Sequence, residues 1–322
     1  MKDLKSYTEF IEAEIAKVDF PASPSELYDP LRYFLTLGGK RIRPILTLLG
    51  SELFGGTKAS VVPQALSIEV FHNFSLIHDD IMDEAPVRRN QPTVHEKWDA
   101  NIAILSGDVL LIKAYQLLGN IAPEKLPSAF QLFNTTAVEV CEGQQMDMNF
   151  ESRMDVSIAE YIEMIRLKTS VLLGASLQMG ALVADASIED QKRIYDFGQN
   201  IGIAFQIQDD ILDLYADPDK FGKQVGGDVI ANKKTLLHLI AVNKATLEQK
   251  EILKQLNGED NLVLKVNRTR ELFDHLNTRQ DCMDMMQDYY SRAMKSLDSI
   301  KVDSEHKKSL ISLAEFLIQR DN

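Results

Sequence analysis

Two short segments of the 322-residue chain repeat one acidic pattern. Leu76-Ile-His-Asp-Asp-Ile-Met-Asp83 and Gln206-Ile-Gln-Asp-Asp-Ile-Leu-Asp213 both contain Asp-Asp-x-x-Asp. On a helix, Asp79 and Asp83 stand four apart and Asp80 and Asp83 three apart, which crowds their carboxylates at about 5–6 Å between Cβ atoms. Asp209, Asp210 and Asp213 repeat that spacing. Two such charges about 5 Å apart repel by roughly 3 kcal/mol at an effective dielectric near 20. The apolar neighbours Phe74, Ile77, Ile81, Phe205 and Ile211 keep water from screening that repulsion. A cation must offset it. Clustered carboxylates suit Mg²⁺, a hard ion that retains water and bridges to phosphate groups. Solvated acidic faces are the plain alternative, but they do not explain recurrence inside apolar helices. An EF-hand start at Asp217-Pro-Asp219-Lys-Phe221-Gly222 fails, because Phe221 takes a ligand position and Gly226-Gly227 weakens the exiting helix.

Cations accompany both acid clusters. Gly38-Gly39-Lys40-Arg41-Ile42-Arg43-Pro44 places three cations in a tight turn opening a helix, where free N–H groups also favour phosphate. Arg88 and Arg89 follow the first acidic helix, and Lys223, Lys233 and Lys234 flank the loop after the second. Lys168-Thr169 lies inside an apolar helix, where an unpaired ammonium is costly. Any one basic pair reads as a solvated face. Together they suit a polyphosphate held between metal and Lys or Arg, with an apolar cavity beyond it.

Long helices must position these groups. Helical periodicity dominates, strand alternation is nearly absent, and no Asn-Gly turn joins β-branched runs. Ser23-Pro24-Ser25-Glu26 reads as a capping-box start with Ser23 as N-cap. Helices are expected near 40–54, 63–83, 95–120, 125–149, 158–185 and 189–215, with a loop over 86–92 and a polar loop over 217–233. Four or five more complete the chain, ending near Arg320. No Pro-, Ser- or Gly-rich linker divides it, so one all-α domain over 1–322 is expected.

Composition agrees with a globular protein: 45% apolar, 26% charged, net charge −13. The acid excess argues against nucleic acid as a partner. Two cysteines, Cys141 and Cys282, form neither a disulfide framework nor a zinc cluster and suit a reducing compartment. The N-terminus lacks the apolar core of a signal peptide. The apolar run 171–186 is interrupted by Ser176 and Gln178 and is too short to span a bilayer comfortably. A cytoplasmic protein without stable membrane insertion is expected.

Taken in order, Gly38-Gly39-Lys40, the first Asp-rich segment, Arg88-Arg89-Asn-Gln-Pro-Thr-Val-His95, Lys168-Thr169, the second Asp-rich segment, Lys223-Gln-Val-Gly-Gly-Asp228 and Lys233-Lys234-Thr235 resemble the trans-isoprenyl diphosphate synthases, the polyprenyl synthetase family. Among them, the chain looks most like the short-chain geranylgeranyl and farnesyl diphosphate synthases. The resemblance covers nearly the whole chain. It implies an all-α helical bundle of the isoprenoid synthase type around a deep central cavity, usually a homodimer. It implies Mg²⁺, roughly three ions per site, held by Asp79, Asp80, Asp83, Asp209, Asp210 and Asp213. An allylic diphosphate would meet Arg88, Lys168, Lys223 and Lys233, with Thr169 and Gln206 near the reacting carbon. Lys40, Arg43, His72 and Arg89 would bind isopentenyl diphosphate. The implied reaction is head-to-tail prenyl transfer: the allylic C–O bond ionises, isopentenyl diphosphate attacks the cation, and proton loss, with released pyrophosphate as base, regenerates an allylic product. Asn90 and Asn232 depart from the glycine that the family often carries, and Asn tolerates left-handed backbone.

Product length is expected to depend on the helix before Asp79. Phe74 lies five residues back, roughly 7.5 Å along the axis, with Ser75 beside it and Phe71 one turn further. Against the family pattern, an aromatic beside a small residue resembles a geranylgeranyl-type floor; a farnesyl type comes next. Phe74 as core packing on another face is the alternative. A longer-chain synthase and a non-catalytic partner subunit are the other readings, the last weakened by six retained aspartates. A terpene cyclase would not need the Gly-Gly-Lys-Arg and Arg-Arg anion sites for a second diphosphate.

Overall fold

In the computed structural model, residues 2–216 and 225–318 are described. They form α-helices connected by short turns, with one two-residue antiparallel ladder, β1 (Val87–Arg88) with β2 (Gln91–Pro92). The all-α expectation holds. By contacts the chain forms two compact units. The first takes in Met1–Thr135, Leu172–Tyr195 and Ile300–Leu310; the second takes in Thr136–Val171, Asp196–Ser299 and Ile311–Asn322.

In the first unit, α1 (Lys2–Ile15), α2 (Ser25–Thr36), α3 (Ile42–Leu53), α4 (Lys58–Met82), the short α5 (Val94–Lys97) and α6 (Ala100–Leu118) follow in order. The start of α2 departs from expectation. Pro24 is the N-cap and makes no side-chain cap, and the Ser25 hydroxyl bonds the Glu26 carboxylate at 3.1 Å, so no capping box forms. α4 begins five residues earlier than expected. Thr57 caps it by accepting from Ser60 N, and Pro63 sits in its early turns. Its most extensive partner is α6, and it also packs on α3. Phe34, Leu48, Ile68, Phe71 and Leu110 are fully enclosed there. The expected helix at 95–120 is split by Trp98 and by the Asp99 cap of α6. α6 is long and apolar enough to cross a membrane by length and composition alone, with a third of it buried.

The second unit holds residues from α7 (Leu126–Ser152), α8 (Ile158–Ile165) and a π-helical turn, Arg166–Ser170, that runs into α9 (Val171–Val183). It continues with α10 (Ile188–Tyr215) from Asp196 onward, the single turn α11 (Gly227–Ile230), α12 (Leu236–Lys244), α13 (Leu247–Asn257), α14 (Leu262–His275), α15 (Thr278–Asp298) and α16 (Ser304–Ile318) from Ile311 onward. Its apolar core joins Tyr161, Ile207, Ile211, Leu236, Phe273 and Cys282. Full capping boxes occur at Ser157/Glu160 and Thr246/Gln249. The helix expected over 158–185 is therefore three pieces, two α and one π.

The π turn has a packing cause. A Cβ on Gly143 would lie 2.2 Å from the Lys168 amide N, and one on Gly202 would lie 2.7 Å from Ser170 Cα. Bare glycine faces let neighbouring backbone approach the widened turn. Such turns concentrate at functional sites, and this one carries Lys168 and Thr169.

Candidate active site

The first acid cluster closes α4. Asp80 turns inward, 1% exposed, and accepts from Arg88 Nε at 2.7 Å, while its Oδ2 is buried without a hydrogen-bond partner. Burial pushes the Asp80 carboxyl up, and the Arg88 guanidinium works against that rise. Asp79 is half-buried, with Arg88 Nη2 3.9 Å from its Oδ2. Asp83 is the C-cap residue. The three aspartates of this cluster therefore differ: Asp80 is enclosed, with one oxygen on Arg88 and the other without a hydrogen-bond partner.

Arg88 and Arg89 reach these positions through a hairpin, where only a loop over 86–92 is expected from sequence. Arg89 (φ 53°) and Asn90 (φ 61°) are both left-handed between the paired strands, the conformation of a two-residue type I′ turn. Asn232 is left-handed too, at φ 54°. The two departures from glycine keep the backbone that glycine would supply. Arg89 Nη1 donates to the Gly38 carbonyl, and its guanidinium lies 2.9 Å from where a Gly39 Cβ would stand. With φ at 143° as well, Gly39 admits no other residue without strain.

The Gly-Gly-Lys-Arg turn places its three cations unequally. Lys40 is exposed. Arg41, left-handed at φ 48°, is enclosed and bonds Glu12 and Glu69 at 2.7 Å each, so it is not available to a ligand. Arg43 Nη1 donates to His72 Nε2 at 3.0 Å, which leaves the imidazole as acceptor. Burial and then the Arg43 charge hold His72 well below its usual range. Burial brings Arg43 down to about 10, opposed by Glu69. Lys40, Arg43, His72 and Arg89 thus stand in the one unit, with Glu69, which sequence reasoning missed, as the carboxylate that balances them.

The second acid cluster, on α10, repeats the division. Asp210 is enclosed, accepts from Tyr161 Oη, and takes the Leu236 amide at 3.1 Å. Burial pushes it up to about 7, with the Asp228 charge adding to the rise. Asp213 accepts from the Asp228 amide at 2.9 Å and is pushed up to about 6, by burial first and Asp228 next. Lys233 lies 3.7 Å from Asp228. Lys223 lies outside the described residues. On the π turn, Lys168 Nζ donates to Asp147 at 2.6 Å, and Thr169 Oγ1 donates to Gln206 Oε1 at 3.5 Å. Tyr161 and Asp147 carried no recognisable motif. Asp228 lay inside a quoted segment, yet its charge against Asp213 follows only from the turn at Gly226, which brings its amide N within 2.6 Å of the Asp213 carbonyl.

Among the described residues no group of three or more His, Cys, Asp or Glu side chains is gathered into a metal cage. The donors still fit a hydrated divalent ion. Each cluster offers carboxylates four residues apart, Asp79 with Asp83 and Asp209 with Asp213, and carboxylate oxygen is the donor such an ion takes.

Ahead of the first cluster, Phe71 is a core residue. It is 2% exposed, and its ring packs edge-on to Phe133 at 5.2 Å. Phe74 is half-buried and meets the Phe71 ring at 5.7 Å and the His78 ring at 4.7 Å. Ser75 is also half-buried and spends its hydroxyl on the His72 carbonyl.

The polyprenyl synthetase family pattern matches residues 24–275. The short chain isoprenyl diphosphate synthase of Methanothermobacter thermautotrophicus is 35% identical, over 100% of this chain and 99% of that protein. The geranylgeranyl diphosphate synthase of Sulfolobus acidocaldarius is 38% identical, over 95% and 94%. A crystal structure of a geranylgeranyl pyrophosphate synthase superposes with TM-score 0.92 at 41% identity, covering 100% of this chain and 99% of that one. The chain belongs to the polyprenyl synthetase family of isoprenyl diphosphate synthases.

Proposed function

We propose that the protein is a Mg²⁺-dependent trans-prenyltransferase that condenses isopentenyl diphosphate with an allylic diphosphate to give geranylgeranyl diphosphate. The observation that carries this is that each acid cluster has a cation close by: Arg88 beside Asp79 and Asp80, and Lys233 beside Asp228, near enough for its charge to act on Asp213, with Lys168 held by Asp147 on the same unit. Asp79, Asp83, Asp209 and Asp213 would hold Mg²⁺, which supplies neutralisation of the leaving diphosphate. The chain's own groups do the rest. Arg88, Lys168 and Lys233 bind diphosphate oxygens and stabilise the charge that develops as the C–O bond breaks. The Thr169 and Gln206 oxygens lie together on the second unit and turn their dipoles toward the allylic cation. Lys40, Arg43 and Arg89 bind the second diphosphate, and neutral His72 holds Arg43 in place. No protein nucleophile is needed, and released pyrophosphate takes the proton.

A C20 product is favoured by the half-buried Phe74 beside Ser75; relatives carry the names of both geranylgeranyl and geranylfarnesyl diphosphate synthases. A homodimer is proposed through α6, a helix only about a third buried, on which Ile104, Leu105 and Ile112 are exposed. A second copy would cover that apolar face better than water does. The chain is read as one 1–322 functional domain working in the cytoplasm, which suits the free thiols of Cys141 and Cys282.

The test incubates purified protein with Mg²⁺, isopentenyl diphosphate and, separately, dimethylallyl, geranyl and farnesyl diphosphates. A C20 product that requires the metal is expected. Condensation with none of the three primers would overturn the reading.

A further inference from the structure

We propose that His78 determines product length, as a positioning residue that fixes the ring of Phe74. The inference rests on the prenyl-transfer reading above and deepens it. Phe74 and His78 are four residues apart on α4, so their side chains share one face. The two rings meet edge-on, centroids 4.7 Å apart at 64°. His78 does not hold its place by chance. Its Nε2 donates to the Ile104 carbonyl of α6 at 3.1 Å, and the ring lies against Gly107, where a Cβ would stand 2.3 Å from Nε2. That nitrogen is bonded to α6 backbone and lies 3.9 Å from the Asp108 carboxylate of the same helix.

On its other side Phe74 meets Phe71, which is enclosed against Phe133 and, through it, Tyr115 at 5.0 Å. The Tyr115 hydroxyl is anchored on Asn134 at 2.6 Å. One flank of Phe74 is thus a rigid core of rings, and the other is a single imidazole pinned to α6. Removing the imidazole frees Phe74 to swing about χ1 into the vacated space. A side chain that no longer stops the prenyl tail admits further condensations.

The test compares product lengths from wild type, His78→Ala, His78→Gln and His78→Phe with farnesyl diphosphate as primer. Gln keeps a donor for Ile104 but no ring, and Phe keeps a ring but no donor. If the ring is what holds Phe74, the ratio of C25 to C20 product rises about three- to tenfold in His78→Ala and His78→Gln, the scale of one ring–ring contact. His78→Phe then stays at the wild-type ratio. In Phe74→Ala the ratio rises further, and adding His78→Gln to it changes nothing more, since the residue being positioned is gone. A wild-type ratio in folded, active His78→Gln would overturn the proposal, as would an unaltered ratio in Phe74→Ala. Absence of any product from wild type would overturn the transferase reading instead, and so separates the two failures. Each ratio is taken at two Mg²⁺ concentrations, and a ratio that follows Mg²⁺ concentration would count against positioning, because a metal effect at the adjacent Asp79 would then explain it.

Discussion

The two acid-rich segments share a sequence pattern and solve the same electrostatic problem in opposite ways. Each buries its middle aspartate. At the end of α4, Asp80 is matched by a fixed cation, Arg88, on a hairpin eight residues away. On α10, Asp210 has a phenol and a backbone amide for partners, with the Asp228 charge nearby, and burial lifts it to about 7. Burial pushes both inward carboxyls up, and they differ in what stands beside them: the Arg88 charge works against the rise at Asp80, whereas the Asp228 charge adds to it at Asp210. Identical motifs therefore do not imply identical surroundings, because each buried carboxyl meets what the rest of its own unit packs against it.

This contrast breaks most visibly at Arg88. Arg88→Ala leaves a buried carboxylate without its partner and should cost about 3 kcal/mol of stability, read from the denaturation midpoint. The counterpart change on the second cluster, Tyr161→Phe, should cost only about 1 kcal/mol, since Asp210 keeps the Leu236 amide and can carry a proton. Equal losses from the two variants would contradict the comparison.

A pH series sharpens it away from either cluster. Burial, aided by Lys234, brings His238 on α12 down to about 4. A depressed histidine favours the folded state while neutral. Its contribution is complete above the unfolded value near 6.5 and is lost as pH falls through about 4. Acid melting curves of His238→Gln should lack up to about 3 kcal/mol of that loss; a curve parallel to wild type would remove His238 from this role. The smallest effect is expected at the type I′ turn. Asn90→Gly should shift stability by less than about 0.5 kcal/mol, and Asn90→Ala should lower it by about 1 kcal/mol, because only glycine and asparagine take the left-handed region cheaply.

The outer aspartates, the cations and the helix order were legible in sequence, because spacing of three and four residues projects directly onto a helix face. The inward turn of Asp80 and Asp210 was not. It depends on Arg88 and Tyr161, whose contacts form only after folding. Arg41 looked like a ligand beside Lys40 and Arg43 but is consumed by Glu12 and Glu69, partners 29 and 28 residues away. The π turn at Arg166–Ser170 had no local signal, since its cause is the approach of Gly143 and Gly202. Ser23-Pro24-Ser25-Glu26 had the right letters for a capping box, but the helix begins one residue later and Ser25 takes the glutamate. Local chemistry was readable; tertiary partners were not.

Both acid clusters, despite their different partners, serve one prenyl transfer in this reading. The direct measurement is the Mg²⁺-dependent rate of C20 formation from farnesyl and isopentenyl diphosphates in Asp79→Asn and Asp209→Asn, each beside wild type. Both variants should lose about a thousandfold or more in kcat, the scale of removing transition-state charge stabilisation. Wild-type turnover in either one would contradict the account.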